Sequence, residues 1–539
     1  MQFAKSFSRH FRRAAGRLRV AMLGATLLAA FVAAPRDVTA ASPGGAYVMR
    51  RGSDTLAVER FERAGGVLQG TLLFRVTGML VRWRLADGPA GGTTRMEASF
   101  SGAGDPAGSP PRQQVTLEFA GDSVFSVSQP GGEHRFGTAR GAMPFVNPSV
   151  ALVAEFALRR MPLPGGRASG ALFLLAGGGT TEAVVTRPAV DSVVVSFAGV
   201  SFCFGLDRDG DVVRGRVPEQ DLTIERVADL PPGLLSLPAP DYSAPAGAPY
   251  NAEEVKVPTR DGHVLAGTLT RPLGPGRSPC VITLTGSGQQ DRDEAIGIVR
   301  GYRPFRGVAD ALGRRSIATL RLDDRGVGAT DAPARGATSE TFAHDAEDAL
   351  AWLRGRPDVD GDRLALIGHS EGGLVAPMVA GADPKLRALV LLAAPAWTGR
   401  RVLEYQNDRA LARYSPASPR DSALRAAMAE VDSLAARDAW LRFFLDHDPM
   451  TAIARVRVPV LLLQGETDRQ VTAGQAEELA KALSRAGNRD VTVRVFPRLN
   501  HLFLDDPDGD PSGYPRLSGE GFSPAVVETL AVWLTKRLR

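Results

Sequence analysis

The sequence predicts a doubly wound, mostly parallel α/β sheet with a helical insertion, preceded by a β-rich accessory domain. Three observations carry this. From about residue 250 onward, apolar runs of strand length alternate with amphipathic stretches of helix length, the pattern of βαβ units. Residues 45–230 hold short β-rich segments separated by Gly, Pro and Asp clusters, which read as strands joined by turns. Between them, residues 231–249 are crowded with Pro and Ala, a composition suited to an extended linker.

At 539 residues the chain is long enough for two domains and a leader, and its 44% hydrophobic content supplies substantial cores. Residues 1–40 read as a signal peptide: a basic start, an apolar run from Val20 to Ala34 too short for a comfortable membrane span, and Val38-Thr39-Ala40 as a cleavage site. The expected location is therefore exported, periplasmic or secreted. The leader carries seven basic residues and one acid, a surplus of six against +5 for the whole chain, which leaves the remainder at −1. The excess positive charge belongs to the leader and argues against a nucleic-acid partner.

In the accessory domain, Thr55–Phe61, Gly70–Val76, Val115–Phe119, Ser123–Val127 and Ser192–Phe197 are expected strands, and Ser149–Met161 a single helix. A β-sandwich or a curved sheet accommodates them. Asp207–Asp211 resembles a calcium loop, but its glycine is misplaced and Pro218 stands at position twelve, so a hairpin turn is expected. Cys203 and Cys280 fall in different domains and are expected as two buried thiols rather than a disulfide. The domain's expected ligand, if exported, is a cell-envelope component or polymer; shielding the neighbouring domain is the plainer role.

Past residue 250, strands are expected near 254–257, 263–271, 280–285, 317–322, 363–367, 387–393, 458–464 and 491–496, and helices near 303–314, 339–355, 371–381, 473–486 and 523–537. Asp358–Asp362 reads as a turn. About sixty residues, 398–456, interrupt the alternation with helical periodicity and read as a lid. Phe443, Phe444, Leu445 and Met450 are candidates to line it, or to form its own core.

Gly368-His-Ser-Glu-Gly372 sits between a predicted strand and a small-residue helix. A serine on a sharp turn flanked by glycines forms a nucleophile elbow. Ser370 needs a base, and the base an orienting carboxylate. Asp468 follows the strand Val458–Gln464, with Glu466 as a lesser alternative on a solvated turn, and His501 follows the strand Val491–Phe496. The order Ser370, Asp468, His501 on strand ends makes these the candidate catalytic residues. His369, inside the elbow, is expected to point away from the serine. For an oxyanion hole, the expected donors are the backbone N–H groups of Glu371 and of Ser287, on the loop Gly286-Ser-Gly288. That loop has neither Gly-x-Gly-x-x-Gly nor Gly-Lys-Ser/Thr, which argues against nucleotide binding.

Gly286–Glu294, Asp323–Gly328, Gly368–Gly373, Gly465–Asp468 and Asn500-His501 together resemble bacterial α/β-hydrolase carboxylesterases, a branch related to serine aminopeptidases and lysophospholipase-like hydrolases. The resemblance spans roughly residues 250–539; this chain carries Gln289 where many members carry Pro. It implies an α/β-hydrolase fold, a small-molecule ester substrate, and no metal or organic cofactor. Asp323–Gly326 and Gln290–Asp293 are then expected to tie loops together around the site, with Arg292 weighed as facing the acyl pocket instead. A serine peptidase of aminopeptidase or prolyl type, or an acyl thioesterase, would use the same three residues.

Overall fold

The computed structural model describes residues 44–88, 92–103, 110–129, 132–176, 178–237, 239–414 and 419–539. The leader expected over residues 1–40 lies outside the described residues. The chain divides into two compact units between Ala239 and Pro240.

The first unit is one fifteen-stranded sheet, so of the two arrangements expected, the curved sheet forms and the sandwich does not. Its first strand, Gly44–Arg51, lies mid-sheet, paired with Asp54–Ala64 on one side and with the last strand, Leu222–Val227, on the other. Alternating apolar residues line one face of these strands and need a cover. The helix Val150–Arg159 supplies it, with every residue from Val150 to Ala157 buried, and its side chains join the sheet's inner face in one core. The sheet curls far enough that Phe136 meets Phe173 with ring centroids 5.8 Å apart, and Thr138 meets Thr180 at 2.8 Å.

The helix is seated by a buried acid that sequence reading did not single out. Ser149 caps it, accepting from the Leu152 N–H, and Glu59 on the facing strand accepts from the Ala151 N–H at 2.8 Å, Ser149 Oγ at 2.5 Å and Trp83 Nε1 at 3.0 Å. Burial pushes the Glu59 carboxyl up to about 7, although the Ala151, Ser149 and Trp83 donors pull the other way. A carboxyl raised on folding stabilises most below its unfolded value, and that contribution is lost as pH rises through the folded one. The unit is therefore expected to melt at a higher temperature near pH 5 than near pH 8. Glu59→Gln should flatten this difference, worth at most about 3 kcal/mol, in calorimetric scans of both proteins; an unchanged slope would remove Glu59 as its source.

Asp207–Asp211 is the expected hairpin turn, with Asp207 Oδ1 accepting from the Asp209 and Asp211 N–H groups. Cys203 and Cys280 are both free; Cys280 is buried as expected, whereas Cys203 is only half-buried. The linker expectation needs correction. Leu230 is buried, and Leu234, Leu235 and Leu237 pack with it on the sheet, because a leucine-rich stretch has apolar area to bury despite its prolines. The remainder, from Pro240, belongs to the second unit: Tyr242 donates to Asp291 at 3.1 Å and stacks on the Arg292 guanidinium at 4.2 Å.

The second unit contains strands β1 (Tyr250–Pro258), β2 (Val264–Pro272) and β3 (Ser278–Leu284), helix α1 (Pro304–Gly313), β4 (Ala318–Leu322), α2 (Ser339–Arg354), β5 (Val359–His369), α3 (Gly372–Ala382) and β6 (Ala388–Leu392). Four helices follow: α4 (Gly399–Tyr414), α5 (Arg420–Ala435), α6 (Ala439–Asp446) and α7 (Pro449–Ile453). The alternation resumes with β7 (Val460–Gly465), α8 (Gly474–Arg485), β8 (Val491–Phe496) and α9 (Pro524–Arg537). The sheet order is β1-β2-β4-β3-β5-β6-β7-β8, antiparallel at β1-β2-β4 and parallel from there on. Central strands buried on both faces read as continuous apolar runs, as β6 and β7 do. One core packs α2, α3 and α8 on one face of the sheet, and another packs α1 and α9 on the other.

Asp358–Asp362 was expected as a turn; Val359 onward is instead the start of β5, admitted by a register shift against β3. Among the candidate lining residues, Phe444 and Leu445 are buried in the core of the helical excursion itself. Met450 packs on the main core, and Phe443 stacks on His447.

Candidate active site

β5 delivers the chain to Ser370 in a left-handed backbone, φ +53°, a conformation that costs a non-glycine residue energy. The turn is held by Ser370 N–H to the Leu392 carbonyl and by Gly373 N–H to the Ser370 carbonyl, both 2.9 Å. Its glycines are steric necessities: a Cβ on Gly368 would fall 2.1 Å from the Gly372 carbonyl oxygen, and one on Gly372 would fall 2.2 Å from that of Leu284.

The loops after β7 and β8 bring Asp468 and His501 to this turn. His501 Nε2 lies 3.0 Å from Ser370 Oγ, and Nδ1 lies 2.8 Å from Asp468 Oδ2. Asp468 and His501 are buried, and Ser370 is half-buried. An ionised carboxylate can only accept, so Nδ1 carries the proton and Nε2 offers its lone pair to the serine hydroxyl. Asp468 Oδ1 accepts from the Gln470 and Val471 N–H groups at 2.8 and 2.9 Å, and Oδ2 from Gln464 Nε2 at 2.8 Å. Asn500 shapes the base loop: its Oδ1 accepts from the Leu502 and Leu504 N–H groups, and its Nδ2 donates to Asp506. Glu466 is exposed and accepts from the Arg498 N–H, away from the relay.

The loop after β3 passes beside the serine; a Cβ on Gly286 would fall 3.3 Å from Ser370 Cβ. The Gly286 N–H is taken by Glu294 Oε1 at 2.8 Å. The N–H groups of Ser287 and Glu371 engage no acceptor among the described residues, which leaves both free to hold a developing oxyanion.

That loop is tied down from below. Asp324 accepts from Thr285 Oγ1 at 2.8 Å and the Gln290 N–H at 2.9 Å; its carboxyl sits well above the usual range because it is buried. Arg292 is not at an acyl pocket. It is buried, bound to Asp323 through its backbone N–H, Nε and Nη2, and to Glu254 through Nη1. Asp293 pairs with Arg321 and Arg303. Buried charges persist only when paired in this way.

The Glu371 side chain is buried too, and burial raises its pKa against the Ser339, Trp440 and Ser287 hydrogen bonds. Trp440 belongs to α6 and donates at 2.7 Å, so the helical excursion is pinned to the residue after Ser370. A small cavity of about 50 Å³ lies beside it, lined by Thr285, Gly286, Asp324 and Glu371 among others. Among the described residues no group of three or more His, Cys, Asp or Glu is placed to hold a metal ion.

Sequence reading missed Gln464, Glu294, His369 and Trp440 as parts of the site. Gln464 left a signal, as the one polar side chain in the apolar run of β7, and His369 ends β5, one residue before Ser370. Glu294 and Trp440 reach the site through a loop and the excursion, where residue spacing carries no geometry.

A sheet of this order, with a serine at the elbow after β5 and a His and Asp on later strand ends, defines an α/β-hydrolase. Residues 297–508 match the family described as serine aminopeptidase, S33. The chain is 28% identical over 309 residues to esterase EstD of Thermotoga maritima, covering 55% of this chain and 70% of that protein. It is 31% identical over 252 residues to an uncharacterized protein of Mycobacterium tuberculosis, covering 46% and 71%. An esterase structure from Pyrococcus furiosus aligns at 16% identity and a TM-score of 0.40, covering 56% of this chain and 97% of that one. The chain belongs to the α/β-hydrolase esterase family related to serine aminopeptidase S33.

Proposed function

We propose that this protein is an exported serine carboxylesterase. The observation that carries the reading is the Ser370–His501–Asp468 relay, with Ser370 Oγ 3.0 Å from His501 Nε2 and Asp468 Oδ2 2.8 Å from Nδ1. Ser370 Oγ attacks the ester carbonyl while its proton passes to His501 Nε2. The Glu371 and Ser287 N–H groups hold the oxyanion. Collapse of the intermediate expels the alcohol, which takes that proton, and leaves an acyl-serine. Water, deprotonated by His501, then releases the acid and restores Ser370.

The peptidase reading has the family description in its favour. An aminopeptidase needs a carboxylate open to the substrate's amino group. Glu371 and Glu294 are buried rather than open to a substrate amine, and Glu371 holds Ser339 and Trp440, Asp324 Thr285 and Gln290, and Glu294 Gly286 and His369, with one oxygen of Glu371 and one of Glu294 taking no partner among the described residues. This favours esters. Thioesters and aminoacyl or prolyl amides run beside esters discriminate the three readings.

The excursion helices scatter arginines and acids around their circumference rather than presenting one apolar face, which does not suit an interfacial lid. Turnover of p-nitrophenyl esters from acetate to palmitate is expected to peak on short chains, with no jump at the micellar threshold. A maximum on long chains with interfacial activation would overturn this reading of the excursion. Export rests on the leader expected over residues 1–40, and the proposed cell-envelope or polymer ligand of the β unit rests on export. Pull-down of the mature chain with peptidoglycan, polysaccharide and lipid tests the latter.

A further inference from the structure

Beneath the relay lies a second, fully buried chain of hydrogen bonds that the steps above do not use. Glu294 Oε1 accepts from the Gly286 N–H at 2.8 Å and faces His369 Nδ1 at 2.7 Å. His369 Nε2 faces the His501 carbonyl oxygen at 3.0 Å. Glu294 is 0% exposed and His369 1%.

The acceptors settle where the protons are. A carbonyl oxygen cannot donate, so Nε2 carries a hydrogen. One more proton lies between Oε1 and Nδ1, because two acceptors facing each other at 2.7 Å would repel. The pair therefore shares one proton between Oε1 and Nδ1 and is neutral overall, with no uncompensated charge left buried.

Its surroundings keep it closed. Phe503 and Phe522 stand against the His369 ring at 6.2 and 5.3 Å, and the His501 ring lies at 5.1 Å. The nearby Tyr302 hydroxyl is spent on the Leu502 carbonyl. Burial, the largest influence, works against charge on His369; Glu294, the His501 carbonyl and the Asp468 charge outweigh it, and the pKa of His369 is raised. Glu294 also holds a left-handed backbone, φ +58°, strain that a non-glycine residue keeps only where its surroundings impose it.

Three chain segments meet at this pair. Gly286 precedes the oxyanion donor Ser287, His369 precedes Ser370, and the third partner is the backbone of His501 itself. We propose that Glu294 and His369 are positioning residues of the hydrolytic reaction, one shared proton fixing the oxyanion loop, the nucleophile elbow and the base loop relative to one another. This rests on the serine-hydrolase reading above.

Glutamine at 294 cannot preserve all three bonds. With its oxygen toward Gly286 and a neutral His369 donating from Nδ1, the Nε2 hydrogen is lost and two lone pairs face each other at His501. With its amide group turned to donate to Nδ1, the Gly286 N–H loses its acceptor. Glu294→Gln and His369→Gln are each expected to lower kcat on p-nitrophenyl butyrate by roughly a hundredfold, the scale of a small misplacement of reacting groups, with KM within about twofold. Substrate contacts are untouched, so a merely local packing defect would not produce this split.

A fluorophosphonate that labels Ser370 and circular dichroism accompany the kinetics. Folded, labelled variants with kcat within about threefold of the wild type would overturn the proposal. Should the variants fail to fold, ¹⁵N-histidine NMR of the wild type decides. His369, assigned through its neighbours, is expected to keep both ring protons near pH 8, where an ordinary histidine is neutral; a singly protonated ring there overturns the proposal. A wild type that neither hydrolyses esters nor takes the label would instead bring down the hydrolase reading, and the positioning role with it.

Discussion

Ser370→Ala is expected to lower kcat on p-nitrophenyl acetate or butyrate by at least about a thousandfold, because in the proposed mechanism it removes the atom that attacks the carbonyl. The fold should survive. Among the described residues Ser370 Oγ has one hydrogen-bond partner, His501 Nε2, and alanine meets the same left-handed backbone that serine already tolerates. The turn is held by backbone bonds to Leu392 and Gly373 that the substitution does not touch. The residual rate would report the oxyanion donors and binding alone. Steady-state kinetics of the two purified proteins, with the fluorophosphonate as a check on the wild type, measure this. Equal rates would reject Ser370 as the nucleophile and the esterase reading that depends on it.

Asp468→Asn should cost roughly ten-thousandfold in kcat, the scale seen when an orienting aspartate is made neutral without loss of shape. The structure dictates why. Two backbone N–H groups, from Gln470 and Val471, point at Oδ1, so the asparagine must place its carbonyl oxygen there. Its NH₂ then occupies the Oδ2 position, facing His501 Nδ1 and the Gln464 amide. A donor opposite Nδ1 drives the proton to Nε2, and Nε2 can no longer accept from Ser370. The loss should fall on kcat and kcat/KM alike. An Asp468→Asn enzyme within tenfold of the wild type would mean that Asp468 does not set the tautomer.

Much of the second unit was legible in its residues. Apolar runs such as Ala388–Leu392 and Val460–Leu463, buried on both faces, announce central parallel strands because only a sheet covered by helices on both sides can hide them. Gly-His-Ser-Glu-Gly announces the elbow because the close approaches at Gly368 and Gly372 leave no space for a side chain. Those are local constraints, written in residue type. The β unit was legible only as strands. Whether they stack as two sheets or curl as one depends on long-range pairing, such as Gly44–Arg51 with Leu222–Val227, which alternation does not encode. The leucines between residues 230 and 237 were hidden among prolines, and composition misplaced them in a free linker.

Residue order and strand-end position singled out Ser370, Asp468 and His501 from the chain alone, since a strand must deliver its following loop to the same edge of a parallel sheet. Tertiary structure alone decided how the loops hold one another. Arg292 turned to Asp323 and Glu254 rather than to a substrate pocket, Trp440 came from the helical excursion to Glu371, and His369 joined Glu294 to the His501 backbone. Each of these joins a buried polar group, Arg292, Glu371 or His369, to a partner tens of residues away or more. Burial sets the demand for a partner, and only the folded path of the chain determines which group meets it.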